Sequence, residues 1–119
     1  MTGPLDTNVP FYLLGGRLAE PLPAGDYGIS VIKEMELLAY PTLTPEEEDH
    51  VRQFIANLAI CELTPTVRLR AVALRRAERL KLPDAIICAT AIEHGVELWT
   101  NDTRLASVAG LRCRVVRLK

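Results

Sequence analysis

The chain is poor in the residues that soft-metal, disulfide or membrane chemistry would need. It has three cysteines and two histidines in 119 residues. Cys61, Cys88 and Cys113 are odd in number and widely spaced, with no C-x-x-C pair and no histidine at ligand spacing. That pattern argues against zinc and reads as small buried hydrophobes of a reducing compartment. No stretch reaches the ~18 apolar residues of a membrane span, and the N-terminus lacks a basic segment followed by a long apolar run. A cytoplasmic protein is the expectation. No serine or cysteine stands beside an evident base, so no covalent intermediate is expected. Aromatic residues make up only 5%, and Trp99 and Phe54 read as core rather than as base-stacking platforms.

What is present is an ordinary globular composition, 49% hydrophobic and 24% charged. Its length predicts one domain over residues 1–119, burying roughly two-thirds of its unfolded surface. The net charge of −1 conceals a split. Residues 1–62 hold ten acids against three Lys/Arg, and residues 63–119 hold five against eleven. An acidic site beside a basic face would suit an enzyme that processes a polyanion. Two halves that merely attract each other would give the same numbers.

Local signals divide the chain into alternating strands and helices. Leu5-Asp6 ends a short strand that Gly3-Pro4 interrupts. Asn8 can cap a helix from Val9 that Gly15-Gly16 stops. Residues 15–28 carry four glycines and two prolines and read as a loop. Tyr27 to Ser30 is a strand, and Ser30 caps a helix to about Ala39. Thr44-Pro45-Glu46-Glu47 is a strong helix start, followed by a strand from Ala59 to Leu63. Thr64-Pro65 opens a long helix to about Leu80, with Leu69, Ala73, Ala77 and Leu80 as its expected inner stripe. Arg68, Arg75, Arg76 and Arg79 fall on its outer face, suited to solvent or to tracking phosphates. Pro83 begins a helix that is apolar on nearly every side and stops at Gly95. Strands at Glu97 to Thr100 and Arg114 to Leu118 flank a short helical turn. The alternation predicts an α/β fold of three α/β/α layers around one mostly parallel sheet of about five strands.

Four acids stand out against this background: Asp6, Glu36, Asp84 and Asp102. Asp6 ends the first strand and Asp102 lies two residues after the fourth. Glu36 is on the helix after the second strand, and Asp84 starts the apolar helix. Sites in open parallel sheets form beyond the carboxyl ends of the strands, so all four can meet at one edge. Each also has a plainer reading. Asp84 suits a helix dipole, Asp102 can cap the turn after it, and Asp6-Thr7-Asn8 can be a polar turn. On a helical wheel Glu36 and Glu34 border opposite sides of the stripe Val31-Met35-Ala39, and spacing does not choose between them. Two carboxylates ~6 Å apart repel by about 2–3 kcal/mol at an effective dielectric near 20. A cluster of four therefore needs protons, basic side chains or a divalent cation, and an all-oxygen donor set suits Mg²⁺ or Mn²⁺.

Several segments resemble PIN-domain proteins, most closely the VapC-type toxins of toxin–antitoxin pairs. They are Asp6-Thr7-Asn8; Ile29-Ser30-Val31-Ile32 leading to Glu36-Leu37-Leu38; Leu82-Pro83-Asp84-Ala85-Ile86-Ile87 with Ala89-Thr90-Ala91; and Thr100-Asn101-Asp102. The likeness spans nearly the whole chain in the right order, and it favours Glu36 over Glu34. It implies a metal-dependent endoribonuclease in which Asp6, Glu36, Asp84 and Asp102 are the catalytic and metal-binding residues. It also implies a homodimer and a cognate antitoxin. The chain departs from the pattern at Gly3-Pro4, Pro10, Tyr40 and Leu105, none of which removes an acid. A non-catalytic PIN-like module that binds RNA or protein is the alternative. A phosphoacceptor domain of receiver or phosphatase type fits less well, because position 8 is Asn where a D-x-D start would need Asp.

Overall fold

The computed structural model describes residues 1–6 and 8–119; Thr7 of the Asp6-Thr7-Asn8 segment lies outside the described residues. The elements run β1 (Gly3–Pro4), α1 (Val9–Leu14), β2 (Tyr27–Ser30), α2 (Val31–Leu38), α3 (Pro45–Ala56) and β3 (Ala59–Cys61). They continue with α4 (Pro65–Glu78), α5 (Leu82–His94), β4 (Leu98–Thr100), a 3₁₀ turn (Thr103–Ser107) and β5 (Cys113–Val115).

Helix starts follow the local chemistry. The Ser30 hydroxyl accepts from Lys33 N at 3.1 Å and opens α2. Thr44 and Glu47 form a reciprocal capping box on α3, with bonds of 3.2 and 3.1 Å. Thr64 caps α4 by accepting from Val67 N at 3.2 Å. Such caps stabilise a helix by about 1 kcal/mol each, because they satisfy amide groups that have no intrahelical partner. Asn8 precedes α1 without a side-chain cap bond. Gly95 ends α5 at φ 66°, a conformation that carries little cost only for glycine.

All strand pairs are parallel, but they do not form one continuous five-stranded sheet. β1, β2 and β3 make one sheet in the order β1-β2-β3, and β4 pairs with β5 in another. Among the described residues the two meet at one parallel bridge, Leu5 to Trp99. The reason lies in the strand period of two. Leu5 N donates to Gly28 O on β2, and Asp6 N donates to Trp99 O on β4. Pro4, two residues before Asp6, faces β4 as well and has no N–H to give. Gly3 belongs to the same seam. A Cβ there would collide with the Glu97 carbonyl oxygen and stand 2.9 Å from the Trp99 ring.

Helices cover both faces of the strands. Leu98 packs with Val67, Ala71 and Leu74 of α4 and with Ala85, Ile87 and Ala89 of α5. Its neighbour Trp99 joins Leu5, Val9, Ile29, Leu37, Val51 and Ile55 in a separate cluster beneath α1, α2 and α3. Adjacent strand residues thus feed opposite cores, as the pleat requires. The central helix is as apolar as its sequence, with Ala85 to Ala91 all buried.

Two helices present different faces from those expected. On α4 the buried residues are Val67, Ala71 and Leu74, while Leu69 is 75% exposed. On α2 they are Lys33 and Leu37, while Met35 is 53% exposed. In both helices the inward stripe is rotated from the most obvious apolar one. No helix among the described residues is long and apolar enough to cross a membrane.

Candidate active site

The four acids line one cleft of about 270 Å³, together with Asn8, Lys33, Lys81, Pro83 and Arg104. It lies beyond the carboxyl ends of β1, β2 and β4, where the chain leaves each strand for a helix or turn. Glu36 lines it and Glu34 does not. Burial differs sharply among the acids. Asp6 is 3% exposed, Asp84 and Asp102 are half-buried, and Glu36 lies at the exposed rim. Glu36 is held at the rim because its helix turns Lys33 and Leu37 inward.

Thr100 couples two of the acids. It is fully buried, and its hydroxyl donates to the Asp6 carboxylate. The same oxygen accepts from Asp102 N at 2.9 Å. Strand β4 thereby holds Asp6 from β1 and the backbone of Asp102 at a common point. Asp102 also caps the 3₁₀ turn, accepting from Arg104 N at 3.0 Å. The capping reading of Asp102 and its place in the cleft are therefore compatible.

The electrostatics match a crowded acidic site. Burial pushes the Asp84 carboxyl above its ordinary range, and the charges of Asp6 and Asp102 push it further. Arg104 and Lys81 oppose that shift. Asp102 moves the other way, chiefly through its hydrogen bond from the Arg104 guanidinium. That ion pair is 2.6 Å long, on an arginine side chain that is 82% exposed. Lys33 Nζ stands 3.7 Å from Glu36 Oε1. Burial first and then the charge of Asp6 raise the Cys88 thiol to about 12.

Lys33, Lys81 and Arg104 line the cleft beside the acids, and residue-type reasoning alone does not single them out. Lys33 had a signal, since it falls one turn before Leu37 on the face that turned out to be buried. Arg104 lies two residues after Asp102, within reach of the carboxylate it pairs with. A wider depression of about 480 Å³ opens between α1, α2 and α3, lined by Phe11, Leu37, Tyr40 and Val51 among others. It is mainly apolar and holds none of the four acids.

The donor chemistry of the cleft fits a hard divalent cation, since its four acids offer only oxygen. Asp84 already registers the nearby charges of Asp6 and Asp102. As the side chains stand, no three His, Cys, Asp or Glu among the described residues converge closely enough to hold one ion. Two of the four acids are occupied by Arg104 and Lys33 instead. The Arg104 side chain is solvent-exposed and can release Asp102 by a change of rotamer.

Comparisons with known proteins bear on the family and the fold. The family model described as PIN domain matches residues 5–111. A chain of a toxin-antitoxin complex from Klebsiella pneumoniae is 34% identical, with a TM-score of 0.77, over 92% of this chain and 94% of that one. VapBC2 from Rickettsia felis, bound to a promoter DNA fragment, gives 18% identity and a TM-score of 0.80 over 98% and 99% of the two chains. DNA-bound VapBC from Salmonella typhimurium gives 23% identity and a TM-score of 0.80 over 97% and 98%. No curated relative matches. This chain therefore belongs to the PIN-domain family, and it resembles the VapC-type members of that family.

Proposed function

We propose that the protein is a Mg²⁺- or Mn²⁺-dependent endoribonuclease, the toxin of a toxin–antitoxin pair, acting as a single PIN-like nuclease domain over residues 1–119. The observation that carries this reading is the meeting of Asp6, Glu36, Asp84 and Asp102 in one cleft, from four separate segments of the chain. Membership of the PIN family and likeness to chains from toxin–antitoxin complexes support it.

In this reading Asp6 and Asp84 are the main carboxylate ligands, and Glu36 and Asp102 complete the site directly or through water. A bound divalent ion supplies an activated water and charge stabilisation at the phosphorus. The protein's own residues do the rest. Thr100 fixes the Asp6 carboxylate against rotation by its hydrogen bond. Leu5 and Ala85, next to Asp6 and Asp84 in the chain, are fully buried and anchor these two acids to the core. Arg104 and Lys81 stand exposed at the mouth, where RNA phosphates can meet them. Their positive charge also offsets part of the carboxylate repulsion when no substrate is present.

The partner is an antitoxin protein, the working state is a homodimer and the location is the cytoplasm. The test is cleavage of RNA in Mn²⁺ or Mg²⁺ by the wild type and by Asp84→Asn. A loss of about 100-fold or more is expected for the variant, as when a group acting on the transition state is removed. Equal metal-dependent cleavage by both proteins would remove the proposed role of Asp84. RNA affinity without turnover in either ion would favour a binding module.

A further inference from the structure

Lys33 is out of place as a merely structural residue. It is 5% exposed, and it shares the buried face of α2 with Leu37 alone. Lysine is almost never this buried unless its charge is answered. Here the ammonium stands 3.7 Å from Glu36 Oε1 and 4.9 Å from the centroid of the Phe11 ring. A carboxylate on one side and an aromatic face on the other fix a cation in position. The same lysine lines the cleft with Asp6, Asp84 and Asp102.

The three cations of the cleft differ in what they can reach. Lys81 and Arg104 are exposed and can meet a phosphate arriving from solvent. The Lys33 side chain is only 6% exposed, and its ammonium is held against Glu36. Its charge is answered by Glu36 and the Phe11 ring before any substrate arrives. Unlike a bound ion, that side chain is covalently part of the chain. A second dication placed within about 5 Å of a fixed ammonium would lose well over tenfold in affinity, even at an effective dielectric near 20.

Building on the metal-site reading above, we propose that Lys33 is a positioning residue that acts as the built-in second cation of the cleft. It holds Glu36 at the rim and limits the site to a single divalent ion, carried by Asp6, Asp84 and Asp102. Glu36 then acts through Lys33 and water instead of through a second ion.

The test counts ions. Mn²⁺ binding to the metal-free protein is titrated calorimetrically, with free Mn²⁺ followed by its paramagnetic resonance. Wild type, Lys33→Met, Lys33→Gln and Lys33→Arg are compared, each checked for native circular dichroism. One ion per chain is expected for wild type and for Lys33→Arg. In whichever neutral variant folds, a second ion should bind at least about tenfold more tightly than any second ion in wild type. Two comparable sites in wild type would overturn the proposal without reference to any variant. So would a folded neutral variant with the ion count and affinities of wild type. If wild type bound no Mn²⁺ at all, the metal-nuclease reading itself would fall, and this inference with it.

Discussion

A single carboxyl, that of Asp84, carries much of the physics of the cleft. Burial and the neighbouring charges of Asp6 and Asp102 raise its pKa on folding. An acid raised in this way favours the native state fully below its unfolded pKa, ~3.9. That contribution is lost as pH rises through the folded value. In chelator-treated protein at pH 7, Asp84→Asn should therefore melt higher than wild type, and the gap should close as pH falls below about 4. Thermal denaturation across pH checks this, and a variant that melts lower at pH 7 would contradict it. Asp102 has the opposite sign. Arg104 depresses its pKa, so its contribution is present above the unfolded carboxylate value and lost as pH falls through the folded one. The two half-buried acids thus pull stability in opposite directions, which suits a site shaped for chemistry more than for stability.

At the scale of elements, the seam between β1 and β4 is the tightest fit in the strands. Gly3→Ala would drive a methyl group into the Glu97 carbonyl and the edge of Trp99. Backbone cannot yield as a flexible side chain can, so a loss of about 1–3 kcal/mol in urea unfolding is expected. An unchanged midpoint would show that the seam is looser than drawn. The same seam marks where sequence reading ran out. Gly3-Pro4 was visible as an interruption, but its effect depends on which neighbour Pro4 faces, and only the pairing of Leu5 and Asp6 reveals that. Caps at Ser30, Thr44 and Thr64 were legible because they are decided within four residues. The inner faces of α2 and α4 were not, because the neighbouring layers choose them. Leu69 looks like a core residue on a wheel and lies in solvent. Lys33 looks like a surface residue and lies inside. The acids were legible because an apolar context makes a carboxylate conspicuous; the cations that answer them were not, since a lysine on a helix is commonplace.

For the molecule as a whole, the split between an acidic first half and a basic second half resolves into a mixed cleft. Asp6, Lys33 and Glu36 come from the first half, and Lys81, Asp84, Asp102 and Arg104 from the second. Packing on both faces of the strands is what brings these halves to one edge, with two separate cores meeting at Leu98 and Trp99. Loss of the fold would scatter the acids, so a cation that holds them together must also hold the molecule together. That linkage gives a direct measurement: the melting temperature of the metal-free wild type and of Asp84→Asn as Mn²⁺ is titrated. At about 100 times the dissociation constant, a single ion bound only by the native state adds about 2.7 kcal/mol, a rise on the order of 10 °C for a chain of this size. Wild type should climb by that much with Mn²⁺ while Asp84→Asn stays nearly flat. A wild-type midpoint indifferent to Mn²⁺, or one that rises equally in the variant, would mean that these carboxylates do not share an ion.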